Sequence, residues 1–227
     1  MDKKPSRPGG RGLAIKVETR AKRSVSSAEW LERQLNDPYV AEAKRQGYRS
    51  RAAFKLLQLD EKFHLLRPGL KVVDLGAAPG GWMQVTIPRI KSIEGRGRLV
   101  GIDLLAIDSM EGAEIIQGNM LDIAAGEAVK AALGGPADLV LSDMAASTTG
   151  HKRTDHLRTV GLAEAAFDFA QEILAPKGAF VVKLFQGGAE KELLNQIKAR
   201  FETVKHAKPA ASRAESSELY LVAQGFI

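Results

Sequence analysis

The spacing of apolar positions changes once along the chain. Up to about residue 69 it is helical. Ser26 and Glu29 have capping-box spacing ahead of Trp30, Leu31 and Leu35, which predicts a helix that Asp37-Pro38 ends. A second short helix runs to Gly47. A third, from about Ser50 to His64, sets Phe54, Leu57 and Phe63 at helical spacing before Arg67-Pro68-Gly69 stops it. From Lys71 the pattern becomes short β-branched or apolar runs at 72–75, 99–103, 114–116, 137–141 and 179–184, with helical segments between them. Each run is bounded by Gly, Pro or charge, as buried parallel strands are.

Leu157, Val160, Phe167, Ala170 and Leu174 repeat near 3.5 residues, and Leu193, Leu194, Ile197 and Phe201 mark a further amphipathic helix. Strands alternating with helices imply a doubly wound α/β sheet. The end breaks the alternation, because 201–205 and 218–222 are joined by a Ser/Arg/Glu loop with no helix, which predicts a final hairpin and one antiparallel strand. The expectation is a Rossmann-like, mostly parallel seven-stranded sheet. It forms a single domain over 26–227, with a helical preface at 26–69 and the core at 70–227.

A chain of 227 residues, 44% hydrophobic, suits one such domain. No apolar run approaches the roughly 20 residues that cross a bilayer, and the first residues do not read as a secretory signal, so a soluble cytoplasmic protein is expected. Cysteine is absent, which excludes disulfides, zinc-thiolate sites and a cysteine nucleophile. The net charge of +6 is local: residues 1–25 hold eight basic and two acidic side chains, leaving the remainder neutral. A flexible basic arm on a neutral body is a handle for a polyanion, through counterion release at phosphates, or else a solvated tail.

The candidate chemistry starts at Val72-Val73-Asp74-Leu75-Gly76-Ala77-Ala78-Pro79-Gly80-Gly81-Trp82, a strand, a turn of small residues and a helix start. Small side chains let the backbone approach a ligand at the carboxyl end of the first strand. The glycines follow G-x-x-x-G-G, not the G-x-G-x-x-G of dinucleotide folds. Asp103 ends the next strand, where a carboxylate can accept both hydroxyls of a ribose. There is no G-K-S/T lysine, and Pro79 removes a backbone donor that a pyrophosphate would use. S-adenosylmethionine therefore fits better than NAD or ATP.

Four segments in this order, Asp-Leu-Gly-Ala-Ala-Pro-Gly-Gly-Trp at 74–82, Ser-Asp-Met-Ala at 142–145, Val-Val-Lys-Leu-Phe at 181–185 and Ser-Ser-Glu-Leu-Tyr at 216–220, resemble the FtsJ/RrmJ family of ribosomal RNA large-subunit 2′-O-methyltransferases over about residues 26–227. The resemblance implies a class I methyltransferase fold with S-adenosylmethionine as cofactor. It places Gly80 and Trp82 at the methionine end, Asp103 at the ribose, Asp143 near the sulfonium and Asn119 at the adenine edge. Asp74, Gly76 and Met120 are further candidates. Two positions depart from the family pattern: Asn119 stands where Asp is usual, keeping an acceptor but losing the charge, and Ala146-Ser147 replaces Pro-Asn.

The resemblance also implies a K-D-K-E catalytic tetrad, carried by Lys55, Asp143, Lys183 and Glu218. Lys183 stands out among them because its strand otherwise reads as buried, where an unpaired ammonium is costly. A lysine snorkelling from the strand's end is the bland alternative. In the catalytic reading Lys183 is the general base or proton relay, with Asp143 and Glu218 fixing its geometry.

Tyr48, Arg49, Ser50 and Arg51, and after the Asp143 loop His151, Lys152, Arg153 and Arg158, are candidate RNA contacts or else turn and surface residues. The histidines lack metal-ligand spacing, and no metal is expected. By the resemblance the partner is 23S ribosomal RNA in the 50S subunit and the target its A-loop uridine; a monomer is expected. Alternatives are another RNA 2′-hydroxyl, such as that of transfer RNA, a non-catalytic ribosome-assembly factor, and a dinucleotide-dependent oxidoreductase.

Overall fold

The computed structural model describes residues 31–32, 34–146, 152–185, 191–213 and 216–227, without the side chains of Lys152 and Arg153. The basic arm, the Ser26/Glu29 capping box and His151 lie outside the described residues. In chain order the elements are α1 (Pro38–Gln46), α2 (Ala53–Phe63), β1 (Lys71–Leu75), α3 (Gly81–Ile90), β2 (Arg98–Asp103), β3 (Glu114–Gln117), α4 (Ile123–Leu133), β4 (Ala137–Ser142), α5 (Lys152–Ile173), β5 (Leu174–Phe185), α6 (Lys191–Arg200), β6 (Phe201–Ala207) and β7 (Glu218–Phe226).

Asp37-Pro38 is a start as much as a stop. The Asp37 carboxylate accepts from the Tyr39 N–H at 3.0 Å, Pro38 needs no donor in the first turn, and Gly47 closes α1 in the left-handed conformation at φ 76°. Helix α2 begins three residues later than Ser50 and ends at His64, itself left-handed at φ 53°.

The sheet order is β3-β2-β1-β4-β5-β7-β6. All pairs are parallel except those made by β7, which runs antiparallel to both β5 and β6. This is the doubly wound, seven-stranded sheet with one antiparallel strand. Alternation along each strand feeds two cores. Val73, Leu75, Val100, Ile102, Val140, Phe180 and Val182 pack with α4, α5 and α6, whereas Val72, Leu99, Leu139, Leu141 and Val181 pack with α2 and α3. The helical preface thus covers one face of the sheet.

Three positions differ from the helical periodicity. Leu157 is exposed, because the buried stripe of α5 begins only at Thr159 and Val160 and continues through Ala163, Ala166, Phe167 and Ala170. Leu174 and Phe201 are buried, but as the first residues of β5 and β6. Helix runs directly into strand at both junctions, so the apolar spacing carries no sign of the change.

Register, more than any single element, builds the site. Ile102, Leu75, Ser142 and Val182 lie side by side across β2, β1, β4 and β5. The next residue on each strand is Asp103, Gly76, Asp143 and Lys183, and Lys183 faces Tyr220 of β7. One row at the carboxyl edge of the sheet therefore carries most of the candidate residues, where open α/β sheets bind ligands.

Candidate active site

A cavity of about 410 Å³ opens over that row. Gly76, Ala78, Asp103, Gly118, Asn119, Met120, Asp143 and Met144 line it, and Leu104, Leu105, Leu121 and Leu162 supply apolar lips. At one end of it each Asp103 oxygen already accepts one backbone amide, from Ala78 at 2.9 Å and Leu105 at 2.8 Å. A carboxylate has about four lone-pair directions, so both oxygens can still take a diol. Asn119 also lines the cavity, its carbonyl oxygen accepting from Leu121 N–H at 3.1 Å.

Two turn glycines sit where a side chain has no room, Gly76 in the cavity wall and Gly80 outside it. A Cβ on Gly76 (φ 77°) would fall 2.5 Å from Met144 Cγ, and one on Gly80 (φ 105°) would fall 3.0 Å from an Arg49 guanidinium nitrogen. Trp82 is placed differently from the expectation. Its indole is buried away from the cavity wall, donates to the Ala52 carbonyl at 2.8 Å and packs 5.8 Å from the Tyr220 ring. What Trp82 can offer a cofactor is its main-chain N–H in the first turn of α3.

Asp74, one residue before the end of β1, is 1% exposed, and neither carboxyl oxygen has a hydrogen-bond partner among the described residues. Burial, aided by the charges of Asp143 and Asp103, pushes its pKa from 3.8 up to about 8. It is a neutral acid at neutral pH.

The four charged candidates converge from four elements. Lys183 is only 6% exposed and is paired, not snorkelling: its Nζ lies 3.0 Å from Asp143 Oδ1 and donates to the Asp143 main-chain oxygen at 2.6 Å. Lys55, on α2, sits 2.9 and 3.0 Å from the two Glu218 oxygens and 3.7 Å from Asp143 Oδ2. Burial pushes the Asp143 carboxyl up, but Lys183, Lys55 and the Tyr220 hydroxyl together outweigh it, and its pKa ends below the usual carboxylate range. Asp143 is thus an ionised carboxylate paired directly with Lys183, with Lys55 at the longer distance of 3.7 Å.

Two members of this network carried no assignment from sequence. Tyr220 donates to Asp143 Oδ1 at 2.7 Å, and burial together with Asp143 and Glu218 holds its pKa well above 10, so it stays a neutral donor. Its signal was available, since Glu218 and Tyr220 are two apart on a strand and face the same way. Ser212 donates to Glu218 Oε1 at 2.7 Å. It lies in a loop, where no periodicity points to it.

These observations meet in a family comparison. The model of the FtsJ-like methyltransferases matches residues 48–226. The chain belongs to this family. Like other FtsJ-like methyltransferases it is an enzyme of methyl transfer, and its relatives agree on the kind of RNA. It is 60% identical over 220 residues to the ribosomal RNA large subunit methyltransferase E of Paramagnetospirillum magneticum, covering 96% of this chain and 90% of that one. A crystal structure of a ribosomal RNA methyltransferase from Plasmodium falciparum superposes with a TM-score of 0.70 at 30% identity, over 79% of this chain and 98% of that one. The MycE methyltransferase of mycinamycin biosynthesis, solved with Mg and S-adenosylhomocysteine, shares the fold alone, with a TM-score of 0.51 at 14% identity over 98% of this chain and 63% of that one.

Within this FtsJ-like methyltransferase, the cations ahead of Lys55 do structural work. Arg49 donates to the main-chain oxygens of Pro79, Asp108 and Ser109, clamping the glycine turn to the segment after β2. Arg51 pairs with buried Asp37 at 2.8 Å and donates to the Ala211 carbonyl. Tyr48 packs edge-on against Phe54. In the structure the donors of Arg49 and Arg51 that have partners are directed to the protein's own carbonyls and to a carboxylate. Arg158 is exposed on α5, and the side chains of Lys152 and Arg153 lie outside the described residues.

Proposed function

We propose that this enzyme transfers the methyl group of S-adenosylmethionine to a ribose 2′-hydroxyl of 23S ribosomal RNA in the large ribosomal subunit, with the A-loop uridine as its target. The supporting observation is a buried Lys183–Asp143 pair facing a Lys55–Glu218 pair beside a cavity that Asp143 also lines. In the same reading it works as a cytoplasmic monomer.

The residues fit the cofactor. Asp103 has acceptor capacity left for ribose hydroxyls, the leucine lips suit a flat base, and the ionised Asp143 carboxylate lines the cavity where a sulfonium would lie. When bound, S-adenosylmethionine supplies an electrophilic methyl group on a sulfonium. The chain's own task is to align a poor nucleophile and take its proton. The Lys183 amine takes the 2′-hydroxyl proton as that oxygen gains the methyl group and the methyl–sulfur bond breaks. Asp143 then stabilises the ammonium through its carboxylate and main-chain oxygens. Lys55, anchored by Glu218, orients the acceptor hydroxyl.

Large subunits from cells lacking the gene are the test substrate. Incubation with enzyme and S-adenosylmethionine is expected to add one ribose methyl group, located by mass mapping to the A-loop uridine. Lys183→Ala is expected to bind the cofactor normally by calorimetry and to lose about 10²-fold or more in single-turnover rate. A methyl group found only on transfer RNA, or a wild-type rate in the variant, would overturn the reading.

A further inference from the structure

Glu218 has a second fixed partner besides Lys55. Ser212, 6% exposed in the loop between β6 and β7, donates its hydroxyl to Glu218 Oε1 at 2.7 Å. The residues on either side of Ser212 are pinned. The Ala211 N–H donates to Gln58 Oε1 at 2.8 Å, and the Ala211 carbonyl accepts from Arg51. Arg213 reaches the Asp37 carboxylate at 3.5 Å, and the same Asp37 oxygen pairs with Arg51. Gln58 and Lys55 lie three apart on α2, and Arg51 stands just before that helix. One element therefore delivers Lys55 to Glu218 directly and holds in place the loop that delivers Ser212 to the same carboxylate.

The geometry gives this arrangement a chemical purpose. Lys55 is within 3.0 Å of both Glu218 oxygens but 3.7 Å from Asp143 Oδ2, so it stands at the edge of a second pairing. Without Ser212, Glu218 would keep only Lys55 and the long 3.5 Å contact of the Tyr220 hydroxyl on Oε1, and a loosened Glu218 would let Lys55 move to Asp143. Two cations would then compete for the carboxylate that positions Lys183. A hydroxyl fixed on Oε1 restrains that movement with a charge-assisted hydrogen bond.

We infer that Ser212 is a positioning residue of the methyl-transfer site: its hydroxyl, set in place by the Asp37–Arg51–Ala211 and Gln58 contacts, holds Glu218 and thereby keeps Lys55 apart from Asp143. The inference rests on the catalytic reading of the four charged residues.

The test compares wild type, Ser212→Ala, Ser212→Thr and Lys183→Ala on large subunits across a pH series, with calorimetric S-adenosylmethionine affinity as a control for an intact fold. Ser212→Ala is expected to lower kcat about tenfold, the effect of losing one hydrogen bond to a charged group. The midpoint of its pH–kcat profile should move by about half a unit or more, because the charges around Lys183 redistribute. Cofactor affinity should not change. Ser212→Thr, which keeps the hydroxyl, should restore both rate and midpoint. A wild-type kcat and midpoint in Ser212→Ala, or equal impairment in the Ala and Thr variants, would overturn the inference. If Lys183→Ala itself keeps the wild-type rate, the catalytic reading fails. If that variant is inactive while Ser212→Ala is normal, only the role of Ser212 fails.

Discussion

Replacing Asp74 by Asn tests whether an acid can sit uncharged in the middle of this sheet. With both oxygens buried and Asp143 and Asp103 nearby, the folded protein holds the Asp74 proton up to about pH 8, whereas an unfolded chain releases it near 3.8. Between those values the native state binds a proton that the unfolded state has given up, so stability must fall as pH rises and level off outside that window. One pKa unit is worth about 1.4 kcal/mol, which makes the cost at neutral pH on the order of 4 kcal/mol. Asparagine cannot ionise, and its amide meets the same surroundings as a neutral carboxyl. The Asn variant should therefore gain on wild type by about 1.4 kcal/mol per pH unit from about pH 5 to about pH 7, and stop gaining above about pH 8. Urea unfolding of both proteins across that range, followed by the fluorescence of buried Trp82, measures the difference directly. Parallel stability curves would refute the reasoning and mean that Asp74 ionises at its ordinary pKa.

Asp103→Ala should weaken S-adenosylmethionine binding by roughly 1–3 kcal/mol, because the ribose hydroxyls lose their acceptor; unchanged calorimetric affinity would reject that role. Deleting residues 1–25, with their +6 charge, should raise the apparent KM for large subunits and flatten its salt dependence, while leaving kcat and cofactor affinity near wild type. An unaltered salt slope would leave the segment without an electrostatic role. Arg51→Ala should cost roughly 2–4 kcal/mol of stability, because the Ala211 carbonyl and most of the Asp37 charge lose their partner. An unchanged Tm would mean that these contacts do little for the fold.

Much of the fold was legible because its strands are short, fully buried runs such as Val72–Leu75 and Leu99–Asp103, each closed by a turn signal. Where helix passes into strand with no loop, at Ile173–Leu174 and Arg200–Phe201, apolar spacing could not place the boundary. The charged site residues were visible because each is chemically out of place: Lys183 in an apolar strand, Asp103 and Asp143 at strand ends. The intramolecular partners of Arg49 and Arg51 were not legible because, apart from Asp37, they are main-chain carbonyls 30 or more residues away that no side-chain pattern advertises. Ser212 was invisible for a related reason. Its role depends on where a loop is held, not on what the loop contains.

Because Asp103, Gly76, Asp143, Lys183 and Tyr220 share one crosswise row, the chemistry is written across strands that are far apart in sequence. Lengthening a connecting loop leaves the row intact. Slipping one strand by a single residue does not: the side chains of that strand change faces, and the aligned group is replaced by its neighbour. A slip of β5 against β4 would bring Val182 or Leu184 to Asp143 and leave an ammonium facing the hydrocarbon core. The same pairing that lines up the proposed catalytic groups therefore makes misregistered sheets unstable, so the candidate site also penalises a sheet that folds out of register.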